Sequence, residues 1–329
     1  MTDHKQGEAA TWVIPIEITV RVGGASPQTI TASVAIPAAV ANPVDEVRRT
    51  RKAIQEDPSA YYDEEADLRD REAYYATVPD ELSSQARFDA LARLLKATHT
   101  SPRNYAPSQH LYPLIDLHPN GELVSIYSGA SMDVEAVIRA DAAMEQAMEQ
   151  AVSAMKAQES FATEEAMLEA VSALEANFSL NCEHVVPQSW FKKREPMKGD
   201  LHHLFACEQK CNGFRGNIPY FDFPDFEEKV MQDCGRLEGA ENRFEPRGGK
   251  GAVARATLYF FLRYPKAFEA GARTYTTERL STLLAWHNDH PVTLYEHHRN
   301  RTIQQKQGNR NPLIDHPEWA EQIDFTRGL

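Results

Sequence analysis

A carboxylate and an imidazole side by side, followed 28 residues later by an amide, constrain this chain more than anything else in it. The first stretch reads Asn181-Cys182-Glu183-His184-Val185-Val186-Pro187, and Asp200-Leu201-His202-His203-Leu204 and Asn212-Gly213-Phe214-Arg215-Gly216-Asn217 follow it. Val185–Phe191 and Leu201–Phe205 are apolar enough to predict two strands of a hairpin, with His184 at the start of the first. The segment from about Glu208 predicts a short helix that carries Asn212. Strand, strand and helix around one point make a single supersecondary unit.

These residue types suit one chemistry. A phosphodiester is anionic and resists water, so its hydrolysis calls for a base to deprotonate the water and a cation on the phosphate and the leaving oxygen. An imidazole titrates near working pH and serves as the base. A hard ion such as Mg²⁺ prefers oxygen and keeps several waters, so one carboxylate and one amide are enough protein ligation. A lone Glu-His pair would mean little; its ordered partners give it force. His202 and His203, in a strand, would point to opposite faces, and His202 is expected to make a structural hydrogen bond involving Asp200. Lys192, Lys193 and Arg194 offer phosphate contacts, with a solvated turn as the alternative.

Upstream, Trp12, Ile14, Ile16, Ile18 and Val20 alternate, as do Ile30, Ala32, Val34 and Ile36 after Gly23-Gly24-Ala25-Ser26-Pro27, which predicts a β-hairpin. Residues 1–57 are either a separate β module or strands added to a main sheet. Residues 59–99 predict helices, with Leu82, Phe88, Leu91, Leu94 and Leu95 as a core stripe opened by Pro79-Asp80. Leu114–Tyr127 predicts two short strands around Pro119-Asn120-Gly121. Residues 131–177 predict an acidic helical insert, a solvated pair marked by Met144, Met148, Val152 and Met155 and by Met167, Leu168, Val171 and Leu174. Downstream, Ala252–Leu262 and Thr277–Trp286 predict helices, and Thr293-Leu294-Tyr295-Glu296 is a capping box for a third that Gly308 ends.

The net charge of −13 is unlike that of a protein steered over long range to nucleic acid. The acidity is uneven: residues 1–181 carry 14 basic against 28 acidic side chains, residues 182–329 carry 21 against 20. No run approaches the ~18 apolar residues of a membrane span. No apolar signal-type segment precedes Trp12, which predicts a cytoplasmic protein, or one exported without a conventional signal peptide. Cys182, Cys207, Cys211 and Cys234 do not make a disulfide scaffold; mostly buried free thiols are expected, with a structural Zn²⁺ or a disulfide as the alternative.

The three motif stretches resemble the bacterial endonuclease I family of ββα-metal nucleases. Phe244-Glu245-Pro246, Gly251-Ala252-Val253-Ala254-Arg255-Ala256, Trp286-His287, Pro291-Val292 and Gln307-Gly308-Asn309-Arg310-Asn311-Pro312 add to the likeness, as do Tyr61-Tyr62 and Gly121–Gly129. It covers roughly 59–130 and 179–318. The resemblance implies an α+β fold with a ββα-metal core embedded in a mostly helical domain (58–329), behind the β-rich N-terminal element. It implies sequence-non-specific, Mg²⁺-dependent cleavage of DNA and often RNA to 5′-phosphate products, with Mn²⁺ or Ca²⁺ as substitute ions. Carried over by position, His184 is the general base and Glu183 and Asn212 hold the metal. Arg215 pairs with phosphate, and Asn217 braces the helix or the metal's waters. Two rivals are a phosphodiesterase on small substrates and a non-catalytic module with zinc-bound cysteines. For the helical insert, absent from the family pattern, docking of an inhibitor or partner protein is the alternative to a solvated pair.

Overall fold

Alternating residues at the N-terminus form the first pair of strands. β1 (Val13–Val20) runs antiparallel to β2 (Gln28–Ala35), with Val13 opposite Ala35 and Val20 opposite Gln28. The two make a sheet of their own and are not added to another. The computed structural model describes residues 13–20, 28–35, 41–157, 181–226, 233–268 and 276–329. Trp12, Ile36 and the loop Gly23–Pro27 lie outside the described residues, as does the second helix expected around Met167–Leu174.

Three helices follow. α1 is Ala41–Glu56, α2 Glu64–Tyr75 and α3 Ser84–Thr98. Asp63 and Ser83 cap the last two by accepting backbone N–H bonds from Ala66 and Ala86, so α3 opens after Pro79-Asp80, where a side-chain oxygen is in reach. Phe88, Leu91 and Leu95 are buried, as their spacing predicts. After the short α4 (Pro107–His110), only the second of the two strands expected around Pro119-Asn120-Gly121 forms. Asn120 Oδ1 accepts the Glu122 N–H and tightens the turn, and β3 (Leu123–Val124) instead pairs with β4 (Ser131–Met132), which lies beyond Tyr127.

α5 (Val134–Ala157) opens the stretch read as a solvated insert. It is not solvated over its first half: Val134, Val137, Ile138, Asp141, Ala143 and Ala147 are buried. That face packs on α1 and α4 within the chain, so it is not left open for an inhibitor or partner.

The central unit comprises β5 (Cys182–His184), β6 (Leu204–Ala206) and α6 (Gln209–Arg215). β5 and β6 are antiparallel, with Cys182 opposite Ala206, Glu183 opposite Phe205 and His184 opposite Leu204. His184 therefore ends its strand and does not start it. Pro187, which has no N–H to donate, leads into a 3₁₀ turn over Gln188–Phe191. Leu201–His203 is also a 3₁₀ turn, capped by Asp200 accepting from the His202 N–H, where the apolar pattern predicts strand. A second hairpin follows, β7 (Gly235–Glu238) with β8 (Arg243–Pro246). α7 (Lys250–Arg263), α8 (Thr277–Asp289), α9 (Leu294–Gln307) and α10 (Pro312–Asp315) complete the order. The Thr293/Glu296 capping box is present, and Gly308 ends α9 at φ 102°, a conformation glycine adopts without a Cβ clash.

The chain is thus α+β, and among the described residues every sheet has two antiparallel strands. Two clusters make the core. The larger surrounds α7 and includes Phe191, Phe205, Phe244, Phe260, Phe261 and Trp286; the smaller joins α1, α4 and α5 through Val47, Leu111, Tyr112, Ile138 and Leu204. Each fully buried side chain of this size contributes about 1.5–3 kcal/mol. The β5–β6 pair lies between them, Phe205 in one cluster and Leu204 and Ala206 in the other.

Candidate active site

Successive residues of a strand project to opposite faces, and Glu183 and His184 do. Glu183 is 1 % exposed. Its Oε1 accepts from the Tyr127 hydroxyl at 2.9 Å and from Arg215 Nη1. The Tyr127 hydroxyl in turn lies 2.8 Å from that of Tyr220. Burial pushes the Glu183 carboxyl up, and the Arg215 charge and the Tyr127 bond oppose that. Both interactions use Oε1, so Oε2 has no hydrogen-bond partner among the described residues.

His184 meets a different set of groups. Its Nε2 lies 2.8 Å from the Lys198 carbonyl. A carbonyl only accepts, so Nε2 carries the proton and Nδ1 holds the lone pair. Nδ1 makes no hydrogen bond among the described residues. The ring sits 4.7 Å from Tyr105 and 5.3 Å from His203. Burial, and then the neighbouring His203, hold its pKa well below the usual imidazole value, which keeps the ring neutral and able to accept a proton.

α6 closes the unit from below. Asn212 Nδ2 donates to the Cys182 carbonyl at 2.8 Å, which turns Oδ1 away from that carbonyl and leaves it without a hydrogen-bond partner among the described residues. Arg215, expected to meet a phosphate, is 1 % exposed and cannot. Besides Glu183 its guanidinium donates to the carbonyls of Ile218, His184 and Val185 at 3.0, 2.9 and 2.9 Å, and it stacks over Tyr220. Its geometry is that of a residue that positions Glu183 and fastens α6 to β5. Asn217 is exposed beyond Gly216 and makes no bond to Glu183, His184 or Asn212.

The basic triplet forms the turn after Phe191. Lys192 and Lys193 both adopt positive φ, 53° and 52°. Arg194 donates to the Phe191 and Ala267 carbonyls, both at 3.1 Å, which ties the turn to the segment after α7. Lys198 and Met197, next along, supply the carbonyls that hold His184 and His203. Behind this loop, buried Asp200 accepts from Tyr259, Tyr264 and Gln307 at 2.8, 2.9 and 2.8 Å. His202 makes the structural bond expected of it, but its ring partner is the Asn309 carbonyl, 3.2 Å away, and only its backbone N–H reaches Asp200. Asn311 caps α10.

The cysteines do not form a zinc site. Cys211 and Cys234 are disulfide-bonded, and Cys182 and Cys207 are buried free thiols in different core clusters. A disulfide sulfur offers no thiolate, and among the described residues no group of three or more His, Cys, Asp or Glu is placed to hold an ion. What the site does present is an oxygen set, Glu183 Oε2 and Asn212 Oδ1, which fits a hard ion that retains water.

Of the residues singled out in the sequence, the structure brings Glu183, His184, Asn212 and Arg215 together. Sequence reasoning missed Tyr127, whose only signal was its place in the Gly121–Gly129 stretch, and Tyr105, which had none. The Lys198 carbonyl, a backbone atom, leaves no trace in a residue pattern.

A family model for endonuclease I matches residues 98–318. The chain is 34 % identical over 157 residues to an extracellular ribonuclease of Bacillus subtilis, 44 % of this chain and 53 % of that protein. It is 36 % identical over 124 residues to an extracellular deoxyribonuclease of Aeromonas hydrophila, 36 % of this chain and 50 % of that one. The match to a periplasmic deoxyribonuclease of the same organism is also 36 % over 124 residues, 36 % of this chain and 48 % of that one. The chain thus spans about half the length of these relatives. No helix among the described residues is long and apolar enough to cross a membrane. With more than half of its residues matched, the chain belongs to the endonuclease I family.

Proposed function

We propose that the protein is a divalent-metal-dependent endonuclease that hydrolyses phosphodiester bonds of DNA, and of RNA, with little sequence preference and 5′-phosphate products. The observation that carries this reading is the state of His184: Nε2 is committed to the Lys198 carbonyl, and Nδ1 is left with a free lone pair. Nδ1 takes the proton from the attacking water. Glu183 and Asn212 would hold a Mg²⁺ ion through Oε2 and Oδ1, with Mn²⁺ or Ca²⁺ able to replace it. When bound, such an ion withdraws charge from the phosphate and the leaving 3′-oxygen. Arg215 holds Glu183 in place, and the Tyr127 hydroxyl fixes its rotamer. Asn217 and Lys192, both exposed, are the proposal's outer contacts to metal-bound water and phosphate.

An extracellular or periplasmic setting fits both the names of the relatives and the Cys211–Cys234 bond, which persists where thiols are oxidised. Digestion of plasmid DNA and of total RNA by the purified protein, with and without EDTA, tests the reading. Both substrates should be degraded, EDTA should stop it, and His184→Ala should reduce the rate at least about 100-fold. Full activity in His184→Ala, or activity confined to dinucleotide esters, would rule it out.

A further inference from the structure

Gly213 has no explanation within the fold. It sits inside α6, one residue after Asn212 and about 100° further round the helix. Glycine in a helix interior is less stable than alanine, because it loses more backbone freedom on folding. α6 is seven residues long and has little helical preference to spare. Other glycines are required by what surrounds them. Gly216 ends α6 at φ 56°, and a Cβ on Gly249 or Gly251 would stand 2.5 Å from the Ile126 carbonyl oxygen or an Arg255 nitrogen. A Cβ on Gly213 would meet nothing within 4 Å among the described residues outside its own stretch of helix. Gly239 is as open, but it lies in the tight turn between β7 and β8, where glycine is an ordinary choice.

The remaining faces of α6 are occupied. Cys211 and Arg215 are buried, Phe214 packs against the larger core cluster, and Asn212 Nδ2 is tied to the Cys182 carbonyl. Gly213 is exposed, and so is Lys210, three residues earlier and therefore on the same face. The Lys210 ammonium is 3.3 Å from Glu208, a surface pair that competes weakly with a phosphate. Beside this face, Glu183 Oε2 belongs to a side chain 1 % exposed yet has no hydrogen-bond partner, and with Asn212 Oδ1 it marks the place of the ion. A missing side chain next to such a place is what close approach of a ligand calls for.

We propose that a nucleic-acid strand lies across this bare face of α6, with the sugar of the nucleotide next to the cleaved bond against the Gly213 Cα and the following phosphate near Lys210. A contact of this kind reads the shape of the backbone and no base, which agrees with cleavage of little sequence preference. A strand seated there presents its phosphate to the ion on Glu183 and Asn212. The inference rests on the nuclease reading of His184 and adds to it the surface that the substrate occupies.

The test compares the full chain with its Gly213→Ala and Gly213→Leu variants in thermal melting and in plasmid cleavage at several Mg²⁺ concentrations. Both variants should fold at least as well as the parent, with Gly213→Ala melting about 1–2 °C higher. Cleavage should move the other way. KM should rise several-fold in Gly213→Ala, and kcat/KM should fall about 100-fold in Gly213→Leu, with the Mg²⁺ midpoint unchanged. A merely structural role would take stability and rate down together. Unchanged kcat/KM in Gly213→Leu, a lower melting temperature in either variant, or a shifted Mg²⁺ midpoint would overturn the proposal. If the parent cleaves nothing, the nuclease reading fails first, and fluorescence anisotropy of a labelled DNA duplex in EDTA then decides the surface. Binding that Gly213→Leu weakens about tenfold or more supports it; equal binding, or none by the parent, refutes it.

Discussion

Asn212 Nδ2 donates to the Cys182 carbonyl at 2.8 Å, so a bond across the helix–strand junction sets the direction of the amide oxygen. Asn212→Ala removes both the oxygen and the brace. The Mg²⁺ concentration for half-maximal cleavage is expected to rise about 10–100-fold, with a loss of rate at saturation. Asn212→Asp keeps an oxygen but sets a carboxylate against the Cys182 carbonyl, and should fall between the two. A magnesium titration of plasmid cleavage reads this directly; an unchanged midpoint in Asn212→Ala would remove the residue from the metal site.

Arg215 and Glu183 form an ion pair with both side chains essentially out of water. Breaking such a pair leaves a buried charge uncompensated, at a cost of about 3–5 kcal/mol. Arg215→Met also strips donors from the Ile218, His184 and Val185 carbonyls. Urea unfolding should show a loss in that range, and Arg215→Lys should recover only part of it, since an ammonium cannot serve carbonyls on several sides. A change below about 1 kcal/mol would contradict the role of this pair as the joint between α6 and β5.

The Cys211–Cys234 bond closes a loop of 23 residues beside Asn212. Chain-entropy arguments give such a bond roughly 3 kcal/mol. Denatured protein should take up alkylating reagent at two thiols before reduction and at four after it, by mass spectrometry. Mild reduction of the folded protein should lower its melting temperature and its nuclease rate together, because the first turn of α6 carries the released Cys211 sulfur. Loss of stability with no loss of rate would separate the bond from the site.

Asp200 sets an acid limit on stability. Burial works to raise its carboxyl, but the imidazoles of His99, His202 and His203 and the Gln307 amide outweigh it, and the net shift is downward. Near neutral pH the imidazoles are themselves held uncharged by burial, so the hydroxyls of Tyr259 and Tyr264 carry much of that load. A carboxyl depressed in the folded state contributes stability above its unfolded value, about 3.9, that is lost as the pH falls through its folded value. Unfolding free energy should therefore drop below pH 4 by up to about 1.4 kcal/mol per pH unit from this group. Asp200→Asn should flatten that part of the curve; an unaltered slope would place the acid sensitivity elsewhere.

Much of this arrangement was legible in the residue order. Glu183, His184, Asn212 and Arg215 fall within one short unit, so sequence order already brings them near each other. α3, α7 and α9 announce themselves by stripe or cap, signals that local physics writes directly. Strand limits were less legible, because a ladder of three residue pairs is too short for periodicity to register. Leu201–His203 has the apolar pattern of a strand, yet the Asp200 side chain captures the His202 N–H and bends it into a turn. Tyr105 and Tyr127 come from far upstream as lone aromatics, and only the folded chain brings them to β5. The Arg215 guanidinium offered the wrong suggestion for a clear reason: a cation in a motif looks like a phosphate ligand until its burial is known.

Gly199 sits between the loop that bears Lys198 and the segment leading to Tyr105. A methyl group at that position would stand 1.9 Å from the Arg103 carbonyl oxygen, closer than any two such atoms can lie. Even alanine would have to wedge the two backbones apart. One of them presents the oxygen that chooses the tautomer of His184, and the other delivers the aromatic ring beside it. A mutation of the smallest kind, touching neither metal nor substrate, would therefore mistune the base from behind.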